Sequence, residues 1–298
     1  LGYDGAIDMA KDHRDAVARG LRLKRAGNRL LALLGGRSVH PVSVKVGGFS
    51  RVPRRRELEG LKDELLWARD AAVATVRWVA GFEYPDFLPD SLFVALRASG
   101  EYPFNEGQIV SSNGLQISAT EFERHFAEQQ VSYSNALHCT LHGSPYLVGP
   151  LARLNFNHDH LSPLARQILA GTGLTLPLRN PFHGIIARSV EILYALEESL
   201  RLIELYDPPP SPSVAVVVRP GSGTACTEAP RGILYHRYRV DADGIIREAK
   251  IVPPTSQNQG RIEQDLRLFM PRLLNLPDKE AALALYLLRA EHRLDGRE

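Results

Sequence analysis

Apolar periodicity constrains this chain most. Leu61, Leu65, Ala68, Ala72, Val76 and Val79 recur at steps of three and four, which places them on one face of a helix over 55–80. Ile186, Val190, Leu193, Leu196, Leu200 and Ile203 do the same over 183–206, where Asp207-Pro208-Pro209-Pro210 ends the helix. A third long helix, or a helix pair, is expected over 8–34. Leu23, Leu30, Leu31 and Leu34 supply its apolar side, and Gly35-Gly36 stops it. Faces of this size must be buried against other elements, so helix packing has to supply much of the core.

Shorter helices are expected at 119–129, with Thr120 as cap and Glu123 three residues on, and at 160–170, with Ser162 as cap and Pro163 first. A last helix is expected at 278–289, capped by Asp278. Strand signals are brief. Val42, Val44 and Val46 alternate with Ser43 and Lys45 before Gly47-Gly48, and 93–96 and 108–110 sit in a turn-rich stretch. Val214–Val218 is a β-branched run, and 232–240 with 244–252 flank Asp241-Ala242-Asp243 as a hairpin. The expected fold is α+β and helix-dominated: a long-helix bundle core with small antiparallel β-sheets. It is read as one domain over 1–298, with a candidate internal boundary at 207–213. A 44% hydrophobic, 23% charged composition suits such a globular core.

Several function classes drop out. Lys plus Arg number 36 against 34 acidic residues, so no polyanion-binding field is expected, and the four arginines of 51–56 lack aromatic neighbours for nucleic acid. No run of about 18 apolar residues is present to cross a membrane. Cys139 and Cys226 do not form a spaced disulfide framework, which points to a reducing cytoplasm. A chain starting at Leu1 is expected to have lost upstream sequence.

Catalytic signals are sparse. His138 and His142 would share a face as metal ligands if helical, but Gly143-Ser144-Pro145 follows at once. His158 and His160 sit among Asn155, Asn157 and Asp159, which suggests a polar turn. No Gly-x-Ser-x-Gly nucleophile elbow occurs, and Gly221-Ser222-Gly223-Thr224 lacks the lysine of a phosphate loop. One segment differs: Thr227-Glu228-Ala229-Pro230-Arg231-Gly232. Pro230 stiffens the chain and Gly232 permits a tight turn, so Arg231 is held on a rigid element beside a hairpin. A fixed guanidinium suits an anionic or polarised small ligand. The alternative reading pairs Arg231 with Glu228 as a structural ion pair.

That segment resembles the Glu-Ala-Pro-Arg-Gly-x-Leu signature of nickel–iron hydrogenase large subunits. Further resemblances follow in the same order as in that family. They are His40-Pro41-Val42-Ser43-Val44-Lys45-Val46-Gly47-Gly48-Phe49, then Tyr146-Leu147-Val148-Gly149-Pro150-Leu151-Ala152-Arg153, and Val252-Pro253-Pro254-Thr255-Ser256-Gln257-Asn258-Gln259, similar to the loop beside the iron. The branch most resembled is the cytoplasmic, bidirectional NAD(P)-linked or sulfhydrogenase type.

The resemblance implies reversible oxidation of H2 at a nickel–iron centre whose iron carries CO and cyanide. It implies an iron–sulfur small subunit, further diaphorase-type subunits, and H2 and protons as substrates. It assigns Arg231 a place over the open metal position and Pro230 a place in the same canopy. It makes Leu234 the apolar contact to the carbonyl ligand and Thr255 a donor to cyanide. Metals in that family are held by two Cys-x-x-Cys pairs, and this sequence contains none. No metal ligand is therefore expected here, and the stretch alone should be inactive. After Leu288-Arg289-Ala290 the family pattern gives way to Glu291-His292-Arg293. The alternative is a metal-free, hydrogenase-like structural or quinone-interacting subunit.

Overall fold

A computed structural model describes residues 3, 5–274, 276–277, 280–282 and 284–285. The Asp278 cap, most of the expected 278–289 helix and the departure after Ala290 lie outside the described residues. The chain forms two compact units, each assembled from separate stretches.

The first unit comprises 1–81, 167–172 and 189–217, so the Pro208–Pro212 run falls inside it. Its main elements are the Arg14–Gly35 and Lys62–Ala80 helices and the part of the Gly184–Leu205 helix from Ser189 onward. The stripe read for 55–80 is buried as expected, from Leu61 through Val79. The helix is interrupted, however: Arg55–Glu59 stops at Gly60 and a new helix starts at Lys62. Leu58, Leu61, Leu65, Leu200 and Ile203 pack with Leu30 and Leu33. Leu31 and Leu34, expected on the buried side, are exposed, because the helix presents its Leu30–Leu33 step to the core instead. Gly36, in the left-handed region at φ +82°, closes that helix.

Valine alternation misleads in this unit. Val44–Lys45 pairs with Gly48–Phe49, but Val42, Val44 and Val46 are all exposed while Ser43 is buried. The Ser43 amide is tied to the Gly35 carbonyl at 3.1 Å, which turns the serine toward the helix end. Val214–Val218 forms no strand. Its pairing in this unit is limited to a Gly48–Ser213 bridge and a Val214 amide bond to Gly47 at 3.0 Å.

Among the described residues, the second unit holds three antiparallel sheets. Val94–Arg97, Gln108–Ser111 and Gln116–Ile117 form one, and Phe126–Gln129 with His138–Leu141 form another. In the third, Gly232–Val240 lies between Gly221–Ala229 and Ile246–Val252. Phe122, Phe126, Tyr146, Val148, Ile233, Tyr235 and both cysteines share one core. Phe122 stacks on Tyr235 and on Phe126, each at 4.3 Å between centroids.

Two expectations in this unit need correction. The 119–129 helix ends at His125, and its cap is Ser118 with Glu121 rather than Thr120 with Glu123. Burying Phe126 opposite Leu141 draws the chain into a strand. Several elements escaped the sequence reading, among them the Pro150–Asn157 helix, the His138–Leu141 strand and two longer ones. Gly221–Ala229 is a strand, although its glycines argue against one. Pro254–Leu273 is a 20-residue helix that Gly260 and Pro271 disguise. No helix among the described residues is long and apolar enough to cross a membrane.

Candidate functional site

Pro230 and Arg231 are the two loop residues of a tight hairpin closed by the Ala229–Gly232 pair. Pro230 is exposed and Arg231 half-buried, so the guanidinium sits at the tip of a stiff two-stranded stem. Three consecutive turn carbonyls are each claimed by a side chain. Arg153 donates to Ala229 at 2.8 Å and to Pro230 at 3.0 Å, and Asn258 donates to Arg231 at 3.3 Å. Asn258 also accepts the Val148 amide at 2.8 Å, joining the turn to the 146–150 segment. A turn restrained at three successive carbonyls fixes the direction in which Arg231 leaves the backbone.

Arg153 does more than bond the turn. It forms an ion pair with Glu228 at 3.0 Å, with the two side chains 4% and 1% exposed. The other Glu228 oxygen accepts the Leu96 amide at 2.9 Å. Glu228 is thus engaged from below the hairpin by Arg153, a partner the sequence reading did not single out. One signal was available: Arg153 lies in the apolar run Leu151-Ala152-Arg153-Leu154, and a charge buried there needs a partner.

Close approach of the two segments depends on glycine. Gly232 has φ +130°, and a Cβ there would lie 2.3 Å from Val148 Cγ2 and 2.8 Å from the Gly149 nitrogen. Gly149 has φ +112° and would place a Cβ 2.8 Å from the Arg231 carbonyl oxygen. Gly232→Ala is therefore expected to cost about 2–5 kcal/mol through backbone strain and overpacking. Urea unfolding measures this, and an unchanged midpoint would contradict the close contact.

Leu234 is half-buried and leaves the strand on the face opposite buried Ile233 and Tyr235. Thr255 is exposed and stands in the first turn of the Pro254–Leu273 helix, not in a loop. Gln257 and Asn258 bring that helix end to the hairpin. Gln257 donates to the Ile233 carbonyl at 2.6 Å and to the Val252 carbonyl at 3.1 Å. Its Oε1 lies 3.2 Å from the buried Tyr146 hydroxyl. The structure therefore gathers the hairpin tip, the strand bearing Leu234 and the helix start bearing Thr255 through amide side chains that sequence reading passed over.

The remaining candidates lie elsewhere. His138 is on a strand rather than a helix, and its ring meets Glu263 at 2.8 Å. His158 and His160 belong to a 3-10 turn, as their polar neighbours suggested. A nickel–iron centre needs thiolates, and the two thiols here do not fit that demand. Burial pushes Cys139 up to about 11 and raises Cys226 further. Both sit inside the apolar core, and no group of three or more His, Cys, Asp or Glu among the described residues could hold a metal ion. What these residues can supply is surroundings for a metal, not its ligands. At pH 8 the Cys139 thiolate fraction is about 10⁻³, so both thiols should react slowly with alkylating reagents until the chain is unfolded. Rapid labelling of the folded chain would contradict their burial.

No protein-family model matches the chain. It is 29% identical over 294 residues to sulfhydrogenase 1 subunit alpha of Pyrococcus furiosus, covering 97% of this chain and 68% of that one. It is 35% identical over 128 residues to the NAD-reducing hydrogenase HoxS subunit beta of Cupriavidus necator, covering 40% of this chain and 26% of that one. The crystal structure of an NAD+-reducing [NiFe]-hydrogenase in the H2-reduced state superposes with a TM-score of 0.81 at 22% identity, covering 95% of this chain and 68% of that one. The helices and small antiparallel sheets thus follow the fold of that subunit, and the chain spans about two thirds of the length of the relatives it matches end to end. With relatives of one kind matching almost its whole length, the chain is similar throughout to the alpha subunits of hydrogenases and shares the fold of the nickel–iron enzymes.

Proposed function

We propose that this chain forms the canopy region of a hydrogenase large subunit, in a protein that interconverts H2 with protons and electrons. The observation that carries this reading is the clamped turn. Arg153 and Asn258 hold the carbonyls of Ala229, Pro230 and Arg231, so a cation is presented from a backbone that needs little reorganisation. Arg231 is the donor over the open side of the metal, and Pro230 stiffens the same cover. Leu234 offers an apolar wall to a neutral carbonyl ligand, and Thr255 offers a hydroxyl to a cyanide. The thiolate ligands themselves lie outside this stretch.

In this reading electrons leave through an iron–sulfur small subunit and pass through diaphorase-type subunits to NAD(P) or a similar acceptor. The setting is the cytoplasm, in keeping with two free, buried cysteines. Reading the coding sequence on both sides of this stretch tests the assignment. A Cys-x-x-Cys pair encoded on each side is the expected result. An uninterrupted frame with neither pair would assign the chain to a metal-free structural relative instead.

A further inference from the structure

The hairpin site leaves one pair of metal-ligating side chains unused. His125 precedes Phe126 and His142 follows Leu141, the end pair of the Phe126–Gln129 and His138–Leu141 ladder. Their backbones stay joined, the His142 amide donating to the His125 carbonyl at 3.1 Å. Phe126 and Leu141 are both buried, so the register of this strand end is fixed from beneath. The ring nitrogens converge: His125 Nδ1 lies 2.9 Å from His142 Nε2. His142 is exposed and His125 half-buried, so solvent reaches the pair.

We propose that His125 and His142 form a surface chelate for a divalent cation, copper or nickel. As the pair stands, one neutral imidazole donates its proton to the other across the gap. If His125 carries its proton on Nε2 and His142 on Nδ1, both lone pairs face inward instead. A metal ion then replaces the bridging proton. The ring centroids lie 5.1 Å apart and the nitrogens meet almost head-on, so each ring swings to aim its lone pair at a shared ion, with metal–nitrogen bonds of about 2.0–2.1 Å. The affinity order expected is copper above nickel. Glu121 lies within electrostatic reach of His125, which favours a cation there, and Arg124 opposes it. Water completes the coordination.

The test is titration of the untagged chain with Cu2+ and with Ni2+, followed by calorimetry and, for copper, by electron paramagnetic resonance. The variants are His125→Gln and His142→Asn. Asn suits position 142 because the backbone there has φ +49°, a left-handed conformation that Asn tolerates. Circular dichroism checks that each variant folds. The expected result is one tight Cu2+ per chain with hyperfine splitting from two imidazole nitrogens. Affinity should fall about tenfold or more in either variant. Copper affinity unchanged in both folded variants would overturn the proposal, and so would no binding by the wild-type chain.

Discussion

Arg231→Lys in the metal-loaded enzyme is expected to lower H2 turnover about 10²–10³-fold, the usual cost of removing one preorganised donor from a developing charge. Lysine keeps the charge but offers a single ammonium on a flexible stem, without the planar fork of a guanidinium. The loss should fall on kcat, since the change strikes an interaction proposed for the reacting centre. Stability should change little, within about 0.5 kcal/mol. The turn is fixed by Arg153 and Asn258 acting on backbone carbonyls, and those bonds survive the substitution. Turnover assays with nickel quantified in the same samples decide the matter. Unchanged turnover at full metal content would remove Arg231 from the mechanism.

Arg153→Met should have the largest effect on folding. The Arg153 and Glu228 side chains are 4% and 1% exposed, so methionine leaves a buried carboxylate without its cation. Breaking such a pair from one side costs about 3–5 kcal/mol. Two turn carbonyls also lose their donor. The double variant Arg153→Met/Glu228→Gln should recover part of the loss, because the second change removes the stranded charge. Urea unfolding of the four proteins in the cycle measures this. A single-variant loss below about 1 kcal/mol would show the pair to be far more hydrated than its burial indicates. Faster hydrogen exchange at the Arg231 and Gly232 amides would report the loosened turn directly.

The long helices were legible because burial and period coincide: Leu61, Leu65, Ala68, Ala72, Val76 and Val79 are all buried at their expected spacing. Short elements were less legible. Val42, Val44 and Val46 alternate as a strand should, yet a backbone bond from Ser43 to Gly35 reverses which residues are buried. The Pro254–Leu273 helix was hidden by its own composition, since Gly260, Pro271 and a polar start all read as breakers. For the site, residue type and local stiffness identified the Pro230-Arg231 turn. They could not reveal its restraints, because Arg153 and Asn258 reach it across 77 and 27 residues of sequence. Side-chain bonds to distant carbonyls carry no local periodicity, so only the folded chain displays them.

The most direct test of the account is an H2-uptake assay on the native protein containing this chain, purified anaerobically from its source, with nickel measured on the same sample. H2-dependent reduction of a viologen dye, with about one nickel per chain, is the predicted result. A folded protein with no nickel and no H2-dependent reduction would contradict the account and leave a metal-free relative of the hydrogenase large subunit.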